Sequence, residues 1–129
     1  MFVKIKKLNI NYPIFVEESS ITNIKGYDSD IITFNTMMKC LSMDNISKCF
    51  KDQSCKFSSV VICIIHNTVY QFNSNIDGVI VDKKGDNGFG WDTIFYYPPL
   101  NKTFGEISTE EKNEFSPRSN TLRQLCDVL

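Results

Sequence analysis

Apolar residues at Ile31, Phe34, Met38 and Leu41 recur three and four apart after Ser29-Asp30, which predicts a core-facing helix with a capped first turn. Around it the pattern is that of strands. Ile14 to Glu18 reads as a buried strand whose polar end carries Glu17 and Glu18 to the edge of a sheet. Phe57 to Ile65, then Val69 to Phe72 with Ile76 to Val81, form two β segments joined by a hairpin turn at His66-Asn67-Thr68, with a bulge at Asp77-Gly78. Thr93 to Tyr97 predicts a further strand, stopped by Pro98-Pro99. Two helix starts follow. Ser108 with Glu111 makes a capping box, and Ser116-Pro117 supplies an N-cap with proline at the first helical position, ahead of Leu122, Leu125 and Leu129. The first eight residues suit a helix through Phe2, Ile5 and Leu8, and a strand through Val3 and Ile5.

Length and composition narrow the picture. A chain of 129 residues is expected to form one domain over residues 1–129, burying roughly two thirds of its unfolded surface. The formal charge of −1 and the scattered lysines argue against a nucleic-acid polymer as partner, because that needs a concentrated basic patch. Cys40, Cys49, Cys55, Cys63 and Cys126 include no Cys-x-x-Cys pair, and His66 is the only histidine, so a zinc site is not expected. The thiols read as reduced, in a reducing compartment. The run Val60 to Ile65 is far shorter than the roughly 20 residues of a membrane helix, and Met-Phe-Val-Lys-Ile-Lys-Lys lacks a signal-peptide core. A cytoplasmic protein with no membrane partner is the expectation.

The richest chemistry lies in Gly85-Asp86-Asn87-Gly88-Phe89-Gly90-Trp91-Asp92, followed by Thr103-Phe104-Gly105-Glu106 and by Glu111-Lys112-Asn113-Glu114-Phe115-Ser116-Pro117-Arg118. Glycines allow the backbone to approach a ligand, the rings offer a stacking face, and the cations suit a phosphate or a base carbonyl. Together they predict a nucleotide pocket. In this order and spacing, Phe-Gly-Trp-Asp-x-Ile-Phe, Thr-Phe-x-Glu-Ile, Glu-Lys-Asn and Ser-x-Arg resemble the C-terminal half of the inosine triphosphate pyrophosphatase family. The likeness runs from about Phe57 onward. It thins at Ile14 to Ile21, where Ile-Phe-Val-Glu-Glu-Ser-Ser-Ile is similar to the family's strand ending in Glu-Asp-(Ser/Thr)-x-Leu. The family's first strand, its Ser/Thr-x-Asn-x-x-Lys turn and the helix after it have no match. Asn45-Ile46-Ser47-Lys48 repeats part of that turn out of place, a coincidence.

The resemblance implies an α/β fold, a mixed, twisted sheet with flanking helices, lacking the family's first strand and helix. It implies Mg2+-dependent hydrolysis of a deaminated purine nucleoside triphosphate (ITP, dITP or XTP) to monophosphate and pyrophosphate. By the same resemblance Glu18 activates water or binds the metal with Glu17, and Phe89, Gly90, Trp91, Asp92 and Arg118 hold base and sugar. Lys112 neutralises phosphate, and the chain forms a homodimer. Two carboxylates together can hold a hard cation, and Arg118 at a helix start adds its planar donors to the helix dipole. Without the phosphate-gripping turn, and with Glu18 one methylene longer than the family's aspartate, weak turnover is expected. Pro117 stands where the family usually has histidine and cannot donate a hydrogen bond, which bears on selectivity for 6-oxo purines.

Each residue also has a plainer reading: Phe89 and Trp91 as core or rim aromatics, Asp92 as a turn cap, Lys112 as a solvated helix charge, Glu17 and Glu18 as a solvated edge. Two other function classes stay open. A purine-nucleotide binder without catalysis predicts saturable binding and no pyrophosphate release. An interaction protein whose sheet edge pairs with a homologue or with itself predicts association without nucleotide binding.

Overall fold

Burial alternates along Ser54–Ile65 and Thr68–Ile80, and these segments are strands β2 and β3 of one long antiparallel hairpin. The computed structural model describes residues 13–26 and 31–129; the first eight residues and the Ser29-Asp30 cap lie outside them. The hairpin turn is two residues, His66 at φ 47° and Asn67 at φ 63°. Two left-handed residues match the strand twist, and the turn is one residue shorter than the expected His66-Asn67-Thr68 because Thr68 already pairs with Ile65. β1, Ile14–Thr22, pairs with the other side of β2, Glu17 opposite Val61 and Ile21 opposite Phe57. β4, Phe95–Tyr97, and β5, Lys102–Thr103, complete a five-stranded sheet in the order β1-β2-β3-β4-β5. With helices α1, Ile31–Cys40, α2, Met43–Phe50, α3, Thr109–Phe115, and α4, Pro117–Val128, this is the expected α/β architecture of a sheet with flanking helices, except that the described strand pairings are all antiparallel where a mixed sheet was expected, each strand being joined to its neighbour in sequence.

Several local expectations change. β1 continues past Glu18 to Thr22 because the hydroxyls that make its second half look polar are buried and bonded. Thr22 Oγ1 lies 2.7 Å from Ser58 Oγ, and Ser20 Oγ donates to Asn35 Oδ1 on α1 at 2.9 Å. There is no bulge at Asp77-Gly78: the pairing runs unbroken from Ser54 opposite Val79 to Ile65 opposite Thr68. Gly78 is there for packing, since a Cβ would sit 2.4 Å from the Phe95 ring. α2 was not predicted. Only Met43, Ile46 and Phe50 mark its apolar side, and its N-cap, Ser42 Oγ accepting from Asn45 N–H at 3.2 Å, precedes a polar turn. Asn45-Ile46-Ser47-Lys48 is therefore helix, with Ser47 Oγ donating to the Val81 carbonyl at 2.7 Å.

The helix starts at Ser108 and Ser116-Pro117 stand, though at Ser108 the bond formed is the N-cap alone and not the reciprocal Glu111 half of a capping box. Ser108 Oγ accepts from Glu111 N–H at 3.1 Å, Ser116 Oγ from Ser119 N–H at 3.2 Å, and Pro117 occupies the first turn of α4. The buried stripe of α4 is Pro117, Thr121 and Leu125, while Leu122 and Leu129 are exposed. Leu125 closes a small cluster with Val61 and Cys63. The larger core centres on Phe57, whose ring meets Trp91 at 5.4 Å, Phe95 at 5.7 Å and Phe104 at 5.9 Å between centroids.

All five cysteines are free thiols, Cys40, Cys49 and Cys126 exposed and Cys55 and Cys63 buried. Burial pushes the Cys55 thiol up to about 12 and raises that of Cys63 as well. The thiolate is the reactive form. A maleimide at about pH 8 is therefore expected to label Cys40, Cys49 and Cys126 within minutes, and the other two only after unfolding. Mass spectrometry of the modified peptides checks this, and rapid labelling of Cys55 would count against the packing described.

Candidate functional site

The segment after β3 is held by glycine contacts and backbone bonds that bring the aromatic motif to the starts of α3 and α4. Lys84 N–H donates to the Thr93 carbonyl at 2.9 Å, Asn87 N–H to the Gly105 carbonyl at 2.9 Å, and Asn87 Nδ2 to the Ile107 carbonyl at 2.8 Å. Glu106 caps its own turn by accepting from Thr103 N–H at 3.0 Å, a bond that holds its carboxyl below the usual range. Gly90 opens the short turn Gly90–Ile94 and does not line the cavity.

Asp92 sits inside that turn, almost wholly buried at 1 % exposure. Its Oδ2 accepts from Phe89 N–H at 3.0 Å and from Lys112 Nζ of α3 at 2.6 Å. The capping reading is thus part of the answer, and the lysine that looked like a solvated charge is the other part. Lys112 has three donors, one of them on Asp92, and its ammonium lies 4.6 Å from the centre of the Phe89 ring. Asp92 compensates its charge locally, so Lys112 is not a free counter-charge for phosphate.

Phe89 and Trp91 divide the two aromatic readings. Trp91 is 7 % exposed and packs edge-on against Phe34 and Phe57, so it is a core residue that also forms cavity wall. Its Nε1 is buried without a hydrogen-bond partner. Phe89 is 59 % exposed, with the Arg118 guanidinium carbon 5.3 Å from its ring centre, and is the ring free to stack on a ligand.

Arg118 occupies the first turn of α4. Its Nε donates to Glu17 Oε1 at 3.1 Å. The same Glu17 oxygen accepts from Ser59 Oγ at 3.1 Å and from Ser19 Oγ. This corrects the paired-carboxylate reading. Neighbouring side chains on a strand point to opposite faces, so Glu17 stands on the face of Ser59 and Arg118 while Glu18 stands on the other, exposed and outside the cavity lining. The two do not converge on one cation, and no group of three His, Cys, Asp or Glu side chains among the described residues could hold a metal ion. A Mg2+ ion clasped by Glu17 and Glu18 does not fit these side chains.

What does converge is a cavity of about 120 Å³ walled by Phe57, Phe89, Trp91, Asp92, Lys112, Ser116 and Arg118. It has apolar ring walls and a few polar groups at one side, the usual composition of a small-molecule site. Sequence reasoning missed Ser19, Ser59, Ser116 and Thr121. A serine in a strand carries no signal of its partner, and only the N-cap pattern at Ser116 pointed to a position in the fold. His66 is exposed at the hairpin tip, as expected. No helix among the described residues is long and apolar enough to cross a membrane.

A model of the Ham1 family matches residues 16–128. A dITP/XTP pyrophosphatase of Hyperthermus butylicus is 30 % identical over 125 residues, covering 92 % of this chain and 65 % of the relative. One from Staphylococcus epidermidis is 37 % identical over 94 residues, covering 67 % of this chain and 48 % of its own. Among solved structures, a HAM1 protein from Coxiella burnetii superimposes with a TM-score of 0.77 at 24 % identity, over 90 % of this chain and 66 % of that one. The Staphylococcus aureus Ham1 protein gives 0.65 at 24 % identity, over 90 % and 66 %. The chain spans 65 % and 48 % of the length of these two pyrophosphatases.

Proposed function

The chain belongs to the Ham1 family, the inosine triphosphate pyrophosphatases its motifs resemble, and from that premise we propose that it hydrolyses deaminated purine nucleoside triphosphates to monophosphate and pyrophosphate. One observation carries the proposal: Phe89, Lys112 and Arg118 meet at one cavity, a stacking ring with two cations against it. The names of the relatives, dITP/XTP pyrophosphatases, support the substrate class.

In this reading the base lies against Phe89 and the terminal N–H groups of Arg118 donate to its exocyclic carbonyl. An amino group at that position would set donor against donor and leave a charged group unpaired, which is how such a site rejects an analogue. Pro117 cannot share this task through its backbone, so selection rests on Arg118. Water then attacks the α-phosphorus, the bond from α-phosphorus to the bridging oxygen breaks, and pyrophosphate leaves with the electron pair. Glu18, which stands where the family resemblance puts the catalytic carboxylate, is assigned to take the water's proton, and because it lies on the face of β1 opposite the cavity this requires the triphosphate to run from the cavity round β1 to that face. Mg2+ enters the proposal as the counter-ion of the triphosphate, since the Glu17–Glu18 pair does not clasp it. A homodimer belongs to the proposal through family membership.

A second reading, nucleotide binding without hydrolysis, is favoured by one observation: Glu18 stands on the face of β1 opposite the cavity. The two readings separate on one set of measurements. Inosine triphosphate is expected to change the fluorescence of Trp91, the sole tryptophan, and to yield pyrophosphate when Mg2+ is supplied. Arg118→Ala is expected to weaken inosine and guanosine nucleotides unequally, by about ten- to a hundredfold for the more affected. Glu18→Gln should stop hydrolysis and leave binding. Saturable binding with no pyrophosphate leaves the second reading standing, and silence in both assays sinks the first.

A further inference from the structure

The Glu17 carboxylate is bonded to the Arg118 side chain and sits beside the hydroxyls packed under its backbone. On the side-chain end, Arg118 Nε donates to Glu17 Oε1 at 3.1 Å. On the backbone end, Ser59 Oγ donates to the same oxygen at 3.1 Å and stands 3.2 Å from Thr121 Oγ1, which donates to the Arg118 carbonyl at 2.9 Å. Ser59 and Thr121 are buried, and Glu17 is half-buried. Three strand and helix elements, β1, β2 and α4, thus meet around one guanidinium; each hydroxyl has a single proton, so with Ser59 donating to Glu17 and Thr121 to the Arg118 carbonyl the two oxygens are in contact without a shared proton.

The geometry of that bond decides what the arginine can do. A guanidinium is planar and carries five N–H groups, one on Nε and four on the terminal nitrogens. A carboxylate that takes Nε fixes the plane of the group and leaves the terminal donors unspent. Among the described residues those donors have no protein partner, and Arg118 lines the cavity with its guanidinium against the Phe89 ring. A side chain with this much rotamer freedom would otherwise lose affinity to the cost of ordering on each binding event.

From this we infer that Glu17 is a positioning residue: it holds the Arg118 guanidinium ready to donate to a ligand carbonyl and has no role as a metal ligand. The inference rests on the proposed nucleotide site and adds to it the group that makes Arg118 a fixed reader of the base. It also accounts for the serines, which supply the carboxylate with donors of its own and keep it in place when the cavity is empty.

The test compares five proteins, the unmodified chain, Glu17→Ala, Glu17→Gln, Arg118→Ala and Glu17→Ala with Arg118→Ala, by calorimetric titration with inosine triphosphate and by thermal melting. Glu17→Ala is expected to weaken binding about tenfold, the worth of a preorganised charged hydrogen bond. Glutamine keeps an oxygen that accepts from Nε, so Glu17→Gln is expected to stay within about threefold of the unmodified chain. Once Arg118 is alanine, removing Glu17 should cost nothing further in affinity. Equal affinity in all Glu17 variants, an equal loss in the alanine and glutamine variants, or an added loss in the double variant beyond Arg118→Ala would each overturn the role. If the unmodified chain binds no nucleotide, the proposed function fails and this role with it, an outcome distinct from normal binding that ignores Glu17.

Discussion

Lys112→Met is expected to unfold this protein at a temperature about 10–15 °C below that of the unmodified chain. The reason is Asp92, whose side chain is 2 % exposed and whose partner Lys112 is 14 % exposed, at 2.6 Å. Removing one member of a buried pair leaves the carboxylate without its charge partner, at about 3–5 kcal/mol. Phe89 N–H stays on the same oxygen, so the lower end, about 3 kcal/mol, is expected. For a chain of this size that is worth about 3–6 °C per kcal/mol. Nucleotide binding should fall as well, because the Asp92 carboxylate both orients the turn that presents Phe89 and anchors the lysine beneath it. Combining Lys112→Met with Asp92→Asn should recover most of the stability and none of the lost donor. A melting point within about 3 °C of the unmodified chain for the single variant would show the pair to be solvated.

The second large effect is expected at a glycine and has a steric cause. Gly85 has φ +85°, and a Cβ there would lie 2.0 Å from the Gly105 carbonyl oxygen and 2.6 Å from Glu106 N. Neither atom belongs to a side chain that could turn aside. Gly85→Ala must therefore part the two loops and lengthen the Asn87 N–H bond to the Gly105 carbonyl, in addition to the strain of a left-handed alanine. About 2–4 kcal/mol is expected from strain and displacement together. The loop carries Gly88, whose own missing Cβ leaves room for Asp92 Oδ2, so nucleotide affinity should drop with stability. Lys83→Ala, exposed in the same loop, should stay within about 0.5 kcal/mol. If Gly85→Ala melts with the unmodified chain, the loops do not interlock as described.

These two sites differ in how far the sequence foretells them. The glycines of Gly85-Asp86-Asn87-Gly88 announce a backbone that side chains would block, and the positive φ at Gly85, Gly88 and Gly90 bears that out. The identity of what presses against them, Gly105 in one case and Asp92 in the other, is nowhere in the local pattern. In the same way Trp91 and Phe89 look alike as motif aromatics two residues apart. Only the packing of Phe34 and Phe57 around one ring makes Trp91 wall and Phe89 the open face.

By itself the sequence determined what depends on a few neighbouring residues. It set the hairpin turn to within one residue, the helix starts at Ser108 and Ser116-Pro117, the two strands of the hairpin apart from their exact ends, and the family through its four linked motifs. Capping, turn dihedrals and side-chain alternation are energies of adjacent groups, so they can be read in order along the chain. The tertiary structure alone decided which charges meet. Lys112 and Asp92 are 20 residues apart and Arg118 and Glu17 are 101 apart, brought together by the pairing of β1 with β2 and the packing of α3 and α4. The strand's two-residue period, a local property, sets Glu17 and Glu18 on opposite faces; the pairing decided that the face of Glu17 is the one that meets Ser59 and Arg118. A carboxylate's partner is set by the low-dielectric surroundings it is buried in, and those form only when distant segments fold against each other.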